Sequence, residues 1–409
     1  MKKIIINGGR SLSGALRVSG SKNAALPMLL AALTVGGTST LYGVPEIGDT
    51  EVALSLLAEY GARATREGNL LKICTDGVHF AVPSPDLTSK IRASTYLIGA
   101  SLARFGEARI LKYGGCDFAA RPIDLHIEAA TALGARLVGD TLYSDGLYGG
   151  EINFRIPSVG ATVNALIMAA SAEGESVIRG FAREPHILSL IDFLTSAGAD
   201  ILVTDTEILV KGGGLNSAVA SVGADMIEAG TYIATAAALG GDLTVTGVPC
   251  GELSAYFSAL DSLGVEYSVS YDGVSTAGIR RPIWTRVVAA PYPHFPTDLQ
   301  PILAPLMALG AGGEIVDTVW QGRFGYLDAL ARFGVRYERT SLGARIYPSH
   351  LHAASARAPD LRGGMACVMA ALYTVGESVI DSADTVLRGY ENIEKKLRSV
   401  GADIEVLNY

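Results

Sequence analysis

The stretch LKYGGCDFAARPIDLH, Leu111 to His126, sets a thiol, Cys116, behind two glycines and five residues ahead of Arg121. Gly114 and Gly115 disfavour helix and strand, because glycine carries a high backbone entropy cost, so a loop is expected here. A nearby guanidinium would stabilise a thiolate on such a loop. Free cysteines also pack in cores, and the local residues leave reagent and filler both open. The other cysteines are Cys74, Cys250 and Cys367, with no CxxC pair and no histidine at ligand spacing. Neither a zinc site nor a disulfide framework is expected from them. Cys250, in GVPCGE, reads as a turn residue, and Cys367, in GGMACVMAAL, as core.

A second set of chemically capable residues opens apolar runs. Lys22-Asn23, Arg92, Ser158, Glu228, Asp298 and Arg362 each stand at the start of an Ala-, Leu- and Met-rich segment. If these segments are helices, their starts present free N–H groups and a partial positive charge, which favour phosphates and carboxylates. Asp298, after Pro296-Thr297, fits a helix N-cap equally well on the residues alone.

What must position these residues is a repeat. An apolar helix pattern ending in Gly-Ala or Gly-Val occurs six times, at Gly61, Gly134, Gly198, Gly264, Gly334 and Gly401, spaced 64 to 73 residues apart. Each glycine fits a helix C-cap followed by a strand. A second helix, apolar almost all round and therefore expected to be buried, precedes each. These six are SKNAALPMLLAAL, RASTYLIGASLA, SVGATVNALIMAASA, IEAGTYIATAAAL, TDLQPILAPLMALG and DLRGGMACVMAALY. One unit is then strand, buried helix, strand, outer helix, strand. Six units divide into two α/β domains of three; a single six-unit solenoid is the alternative. The first strand, in MKKIIINGG, is expected to complete the last domain. This gives a discontinuous domain of 1–20 plus 225–409 and a contiguous one of 21–224, with ligands in the cleft between them.

The chain has 409 residues, 49% of them hydrophobic and 18% charged, with a formal net charge of −8. That composition describes a packed globular protein and argues against nucleic-acid or anionic-membrane partners. No apolar run is long enough to cross a bilayer, and three isoleucines are too few for a signal peptide, so a cytoplasmic protein is expected.

Seven segments, in order along the chain, resemble the UDP-N-acetylglucosamine 1-carboxyvinyltransferase branch of the EPSP synthase-like enolpyruvyl transferases. They are SGSKNAALP, GGCDFAARPIDLH, PSVGAT, AREP, HFPTD, DLR and RGYENIEKKL. Asn23 and the GGC loop point to this branch over the aromatic-biosynthesis one. The resemblance implies a two-domain inside-out α/β barrel of six βαβαββ units, three per domain. It implies transfer of the enolpyruvyl group of phosphoenolpyruvate to the 3′-hydroxyl of UDP-N-acetylglucosamine by addition–elimination, the first committed step of peptidoglycan synthesis. No metal or organic cofactor is implied.

By the same resemblance Cys116 is the loop acid and the site of fosfomycin alkylation, and Asp298 the base facing the sugar hydroxyl. Lys22, Arg121 and Arg388 are the cations around phosphoenolpyruvate, Asn23 holds the sugar, and Arg362 lies near the carboxylate. The nucleotide sugar falls to Arg92, Arg121, Pro122, Ile123, Asp124, Leu125, Ser158, Val159 and Val319. Glu184 and His126 are expected to order the site. Tyr113, Phe118-Ala119, Met226, Gln321-Gly322 and Leu387 depart from the family pattern. A transferase with another acceptor, or a catalytically weak nucleotide-sugar-binding paralogue, are the alternatives they leave open.

Overall fold

The computed structural model describes residues 2–114, 122–240, 242–271, 273–277 and 281–408. The chain divides into two compact units, one of residues 2–19 and 224–408 and one of the described residues in 20–223. Each has its own hydrophobic core. Three helices form the centre of each core: α1 (Lys22–Ala31), α2 (Leu97–Phe105) and α3 (Val159–Ser171) in the second, and α4 (Met226–Leu239), α5 (Gln300–Leu309) and α6 (Leu361–Tyr373) in the first. Every residue from Ala161 to Ala170 in α3 and from Leu361 to Leu372 in α6 is buried. A helix with no polar face has to be enclosed on all sides, and sheets backed by outer helices do so here.

Sheet pairing explains how one chain closes two such shells. In three of the described sheets the strand leading into a buried helix runs parallel to the strand that follows that helix, and in two more the parallel strand comes from the other crossing of the chain between units; a hairpin partner completes each pairing. Strand Lys2–Gly8 lies between Gly376–Asp381 and Asp403–Asn408, antiparallel to both, with Ile4 opposite Ile380 and Val406. The N-terminal strand thus helps complete the last domain, as the sequence suggests, and does so within the sheet of the last repeat. Strand Gly14–Arg17 pairs with Asp242–Thr246, and Val219–Ser221 pairs with Thr38–Tyr42. The chain passes between units at Ser19–Gly20 and Gly223–Ala224. The Ser21 amide donates to Gly223 O at 2.7 Å, and the Asp225 amide to Ser19 O at 2.9 Å.

The repeat is least regular around Glu107–Arg109, whose sheet has three strands among the described residues. Residues 78–83, which precede that unit's helix, form no strand. Pro83 and Pro85 lack the N–H that a ladder requires.

All six repeat glycines have positive φ, from +72° at Gly264 to +116° at Gly198. Gly264 ends its helix in the left-handed region, φ 72° and ψ 26°, and an added Cβ would meet only Ile283, at 3.6 Å. Its requirement for glycine is therefore one of backbone conformation. Gly264→Ala is expected to cost about 1–2 kcal/mol of stability, read from urea denaturation. A change below a few tenths of a kcal/mol contradicts this.

Candidate active site

In the second unit, Ser21 caps α1, accepting from the Ala24 amide at 3.3 Å, and this sets Lys22 and Asn23 on the first turn. Lys22 Nζ lies 3.3 Å from Asp49 Oδ2, both side chains largely buried. A carboxylate from the start of helix Gly48–Glu59 thereby holds the ammonium at the helix end. Arg92 opens the 3₁₀ turn Arg92–Tyr96 that leads into α2. Ser158 caps α3, accepting from the Ala161 amide at 3.4 Å, with Val159 following half-buried. Pro122 is exposed, Ile123 half-buried and Leu125 buried, so this run offers an apolar edge beside the start of helix Asp124–Ala132. The Asp124 carboxylate is bound by Arg155, which also reaches Glu128. This arrangement favours backbone groups over the Asp124 side chain for reading a base.

His126, on the first turn of the same helix, is buried, with Nδ1 2.6 Å from Asn164 Nδ2 of α3. Burial is the largest cause lowering its pKa to about 4; the Arg92 charge lowers it further and Asp124 opposes. The ring is therefore neutral at physiological pH.

In the first unit, Asp298 lies in the 3₁₀ turn Thr297–Leu299 that leads into α5, and its side chain does not cap the helix. Arg323 Nη1 donates to its Oδ1 at 2.6 Å, and Arg362 Nε, on the first turn of α6, donates to Oδ2 at 3.2 Å. Both guanidiniums are buried, at 6% and 2% exposure, while the carboxylate keeps 28%. Arg362 is further held over the Tyr390 ring, 5.3 Å from its centroid. The Gln300 amide secures Arg323 through its carbonyl oxygen at 3.0 Å. Arg362 Nη1 and Nη2 are buried and make no geometric hydrogen bond among the described residues. Two fixed cations and a solvent-reaching carboxylate suit an anionic substrate bearing a hydroxyl. Each Asp298 oxygen holds one guanidinium N–H and keeps a second lone pair, through which it can accept a proton.

Val319 is positioned by Asp317, which accepts from the amides of Val319 and Trp320 at 2.9 and 2.8 Å and from Thr297 Oγ1 at 2.6 Å. Arg388 caps the short helix Asp384–Leu387, half-buried. Glu228 serves a different end from Asp298. It is sealed at 2% exposure, bound to Lys396 Nζ at 2.6 Å, and accepts from the Ser19 amide at 2.7 Å. Burial raises its pKa, against the lowering effect of Lys396. Its role is to anchor the last residue before the chain passes between units.

Cys116, Arg121 and Phe118-Ala119 lie outside the described residues. Arg323 is the residue that sequence reasoning passed over, although its neighbours Gln321-Gly322 drew attention; only the turn that brings it to Asp298 marks it out. Met226 and Leu387, which replace charged residues of the family pattern, pack against the first unit's core. Among the described residues no group of three or more His, Cys, Asp or Glu is placed to hold a metal ion. No described helix is long and apolar enough to cross a membrane.

The family profile described as EPSP synthase (3-phosphoshikimate 1-carboxyvinyltransferase) matches residues 6–397. The chain is 39% identical over 420 residues to UDP-N-acetylglucosamine 1-carboxyvinyltransferase 1 of Streptococcus agalactiae, covering 100% of both chains. To UDP-N-acetylglucosamine 1-carboxyvinyltransferase of Halothermothrix orenii it is 38% identical, covering 99% of each. Among solved structures, the enolpyruvyl transferase NikO from Streptomyces tendae superposes with a TM-score of 0.89 at 26% identity, over 100% of this chain and 99% of that one. EPSP synthase from Acinetobacter baumannii, at 19% identity and a TM-score of 0.76 over 100% of both chains, shares the fold.

Two outcomes follow from the site geometry. Arg323→Met removes a charge-assisted hydrogen bond from Asp298, and a stability loss of roughly 1.5–3 kcal/mol is expected in denaturant melts. An unchanged midpoint contradicts the pairing. For His126 the folded pKa, about 4, lies below the unfolded value. The unfolded state therefore binds the extra proton between these values; the stabilisation is complete above pH about 6.5 and is lost as pH falls towards 4. Acidification from pH ~7 to ~4.5 should cost the wild type on the order of 2–3 kcal/mol more than His126→Gln. Parallel stability profiles for the two proteins contradict a buried neutral imidazole.

Proposed function

This chain belongs to the EPSP synthase family, and from that premise we propose that it transfers the enolpyruvyl group of phosphoenolpyruvate to the 3′-hydroxyl of UDP-N-acetylglucosamine, releasing phosphate. The reading rests on the full-length relatives of that name, at 38–39% identity. Within the structure its chief support is Asp298, held by Arg323 and Arg362 at the entry to α5. The product opens peptidoglycan synthesis, and we place the enzyme in the cytoplasm with its two small-molecule substrates.

In the proposed reaction Cys116 delivers a proton to C3 of phosphoenolpyruvate while the sugar hydroxyl oxygen attacks C2, and Asp298 takes the hydroxyl proton. The adduct is a tetrahedral ketal carrying both the sugar and the phosphate. Loss of a proton from C3 with departure of phosphate restores the double bond and leaves the enolpyruvyl ether. Lys22, Arg121 and Arg388 balance the phosphate and carboxylate charges, and Asn23 holds the sugar. Arg92, the backbone from Pro122 to Leu125, Ser158, Val159 and Val319 bind the nucleotide sugar. Arg362 orients Asp298 and offers its buried Nη atoms to substrate oxygens. This chemistry calls for no metal and no organic cofactor, and no nucleic acid takes part.

The test is phosphate release from phosphoenolpyruvate by the purified chain, with UDP-N-acetylglucosamine, shikimate 3-phosphate or no acceptor. Release only with the nucleotide sugar is expected. Release only with another acceptor reassigns the substrate, and none with any acceptor contradicts the enzyme reading. A second prediction concerns the loop thiol: Cys116→Asp should retain turnover yet resist fosfomycin, since a carboxylic acid donates a proton without being alkylated. Equal inactivation of both proteins would refute the role given to Cys116.

A further inference from the structure

Arg323 and Arg362 hold the same carboxylate but spend their donors differently. Arg323 gives Nη1 to Asp298 Oδ1 at 2.6 Å and also to Thr297 Oγ1 at 3.2 Å. Arg362 gives Nε to Asp298 Oδ2 at 3.2 Å, while its Nη1 and Nη2 are buried and meet no hydrogen-bond geometry with any described group. A buried guanidinium needs compensation for its lost hydration. Part of it comes from the Tyr390 ring, whose centroid lies 5.3 Å from Arg362 Cζ, within cation–π range. An aromatic face attracts a cation without accepting an N–H in the guanidinium plane. It therefore stabilises the charge and leaves the planar fork of donors uncommitted.

What holds the ring is a chain of hydroxyls with one direction. Tyr390 is 1% exposed, and its hydroxyl lies 3.0 Å from Thr231 Oγ1 of α4. Thr231 donates its one hydrogen to Ile227 O at 2.7 Å, so it accepts from Tyr390. The phenol is thereby tied at its far end to α4. At its near end the backbone is seated on α6: a Cβ added at Gly389 would lie 2.5 Å from Cδ1 of Leu361, the residue before Arg362. With its hydrogen turned to Thr231, the phenol oxygen keeps its lone pairs for a cation. Burial favours a neutral guanidinium, and Tyr390 is first among the groups that outweigh it at Arg362.

We propose that Tyr390 is a positioning residue for the transfer reaction: its ring fixes the plane of the Arg362 guanidinium, so that both Nη atoms are presented to anionic oxygens of phosphoenolpyruvate, and its hydroxyl fixes the ring through Thr231. The proposal rests on the enolpyruvyl-transfer reading above. A carboxylate or phosphate matches a planar pair of N–H donors, and that match is lost when the plane tilts. Asp298 on Nε sets one edge of the guanidinium and Tyr390 on its face sets the tilt, so together they leave it one orientation. Tyr390 acts through Arg362 and exchanges no proton in the reaction.

The experiment is a double-mutant cycle on the steady-state kinetics of the intact chain, with UDP-N-acetylglucosamine saturating and phosphoenolpyruvate varied. Tyr390→Leu should lower kcat/KM for phosphoenolpyruvate about tenfold, with KM for the nucleotide sugar changed less than about twofold. Tyr390→Phe keeps the ring and should stay within about threefold of the wild type. Thr231→Val should match Tyr390→Phe and add nothing to it, a comparison that stands even if Tyr390→Leu fails to fold. Lysine has rotatable donors and needs no fixed plane, so in an Arg362→Lys background Tyr390→Leu should cost less than about threefold. A general loosening of the core would cost the same factor in both backgrounds. Losses that multiply in either pair, or a Tyr390→Phe as damaged as Tyr390→Leu, overturn the proposal and leave enolpyruvyl transfer standing. A wild type that consumes no phosphoenolpyruvate with any acceptor overturns both.

Discussion

Six helices without a polar face set the terms for this molecule. A helix apolar all round gains from burial on every side, and no single sheet can supply that. Each unit therefore wraps three such helices in sheet and outer helix, and apart from the last turn of α2, where Arg104 is exposed, the sides of α1 to α6 are largely closed to solvent. What a buried helix still offers is its end. Lys22, Ser158 and Arg362 stand at such ends, and Arg92 and Asp298 stand in the 3₁₀ turns that lead into α2 and α5. Four of the helices begin at a side-chain cap, from Ser21, Ser158, Asp225 or Asp360, which also fixes the backbone on which the candidate residues sit.

The same position in the repeat carries opposite uses of a carboxylate. Glu228 is sealed at 2% exposure against Lys396 and holds the chain where it leaves the first unit. Asp298 keeps 28% exposure and two arginines whose own burial fixes their direction. Burial of a charge is costly unless it is paired and hydrogen-bonded, so the sealed pair serves position and the open one stays accessible to solvent. Local cations of this kind give a chain of net charge −8 places suited to an anion.

Much of this was legible because glycine and helix periodicity are strong local signals. The six repeat glycines all take positive φ, and each apolar segment is a buried helix within a residue or two, or a helix preceded by a 3₁₀ turn. The return of the first strand to the last domain was expected once six units were divided into two sets of three. Arg323 was not legible, since nothing in VWQGRF says that its guanidinium turns back to Asp298, 25 residues earlier. Nor was the bridge from Asn164 to Gly99 and Thr95, because a polar residue in an apolar run reveals its partners only once two helices are packed. The Arg155 clamp on Asp124 likewise depends on a loop from the following repeat.

The central claim is enolpyruvyl transfer through an adduct protonated at C3. Its most direct measurement is the mass spectrum of the nucleotide sugar after turnover in deuterium oxide. The account predicts an enolpyruvyl ether of UDP-N-acetylglucosamine carrying solvent deuterium in its vinyl group, because C3 becomes a methyl group in the adduct before losing a hydron. An adduct without deuterium contradicts the addition–elimination route, and an unmodified sugar beside consumed phosphoenolpyruvate contradicts the transfer itself.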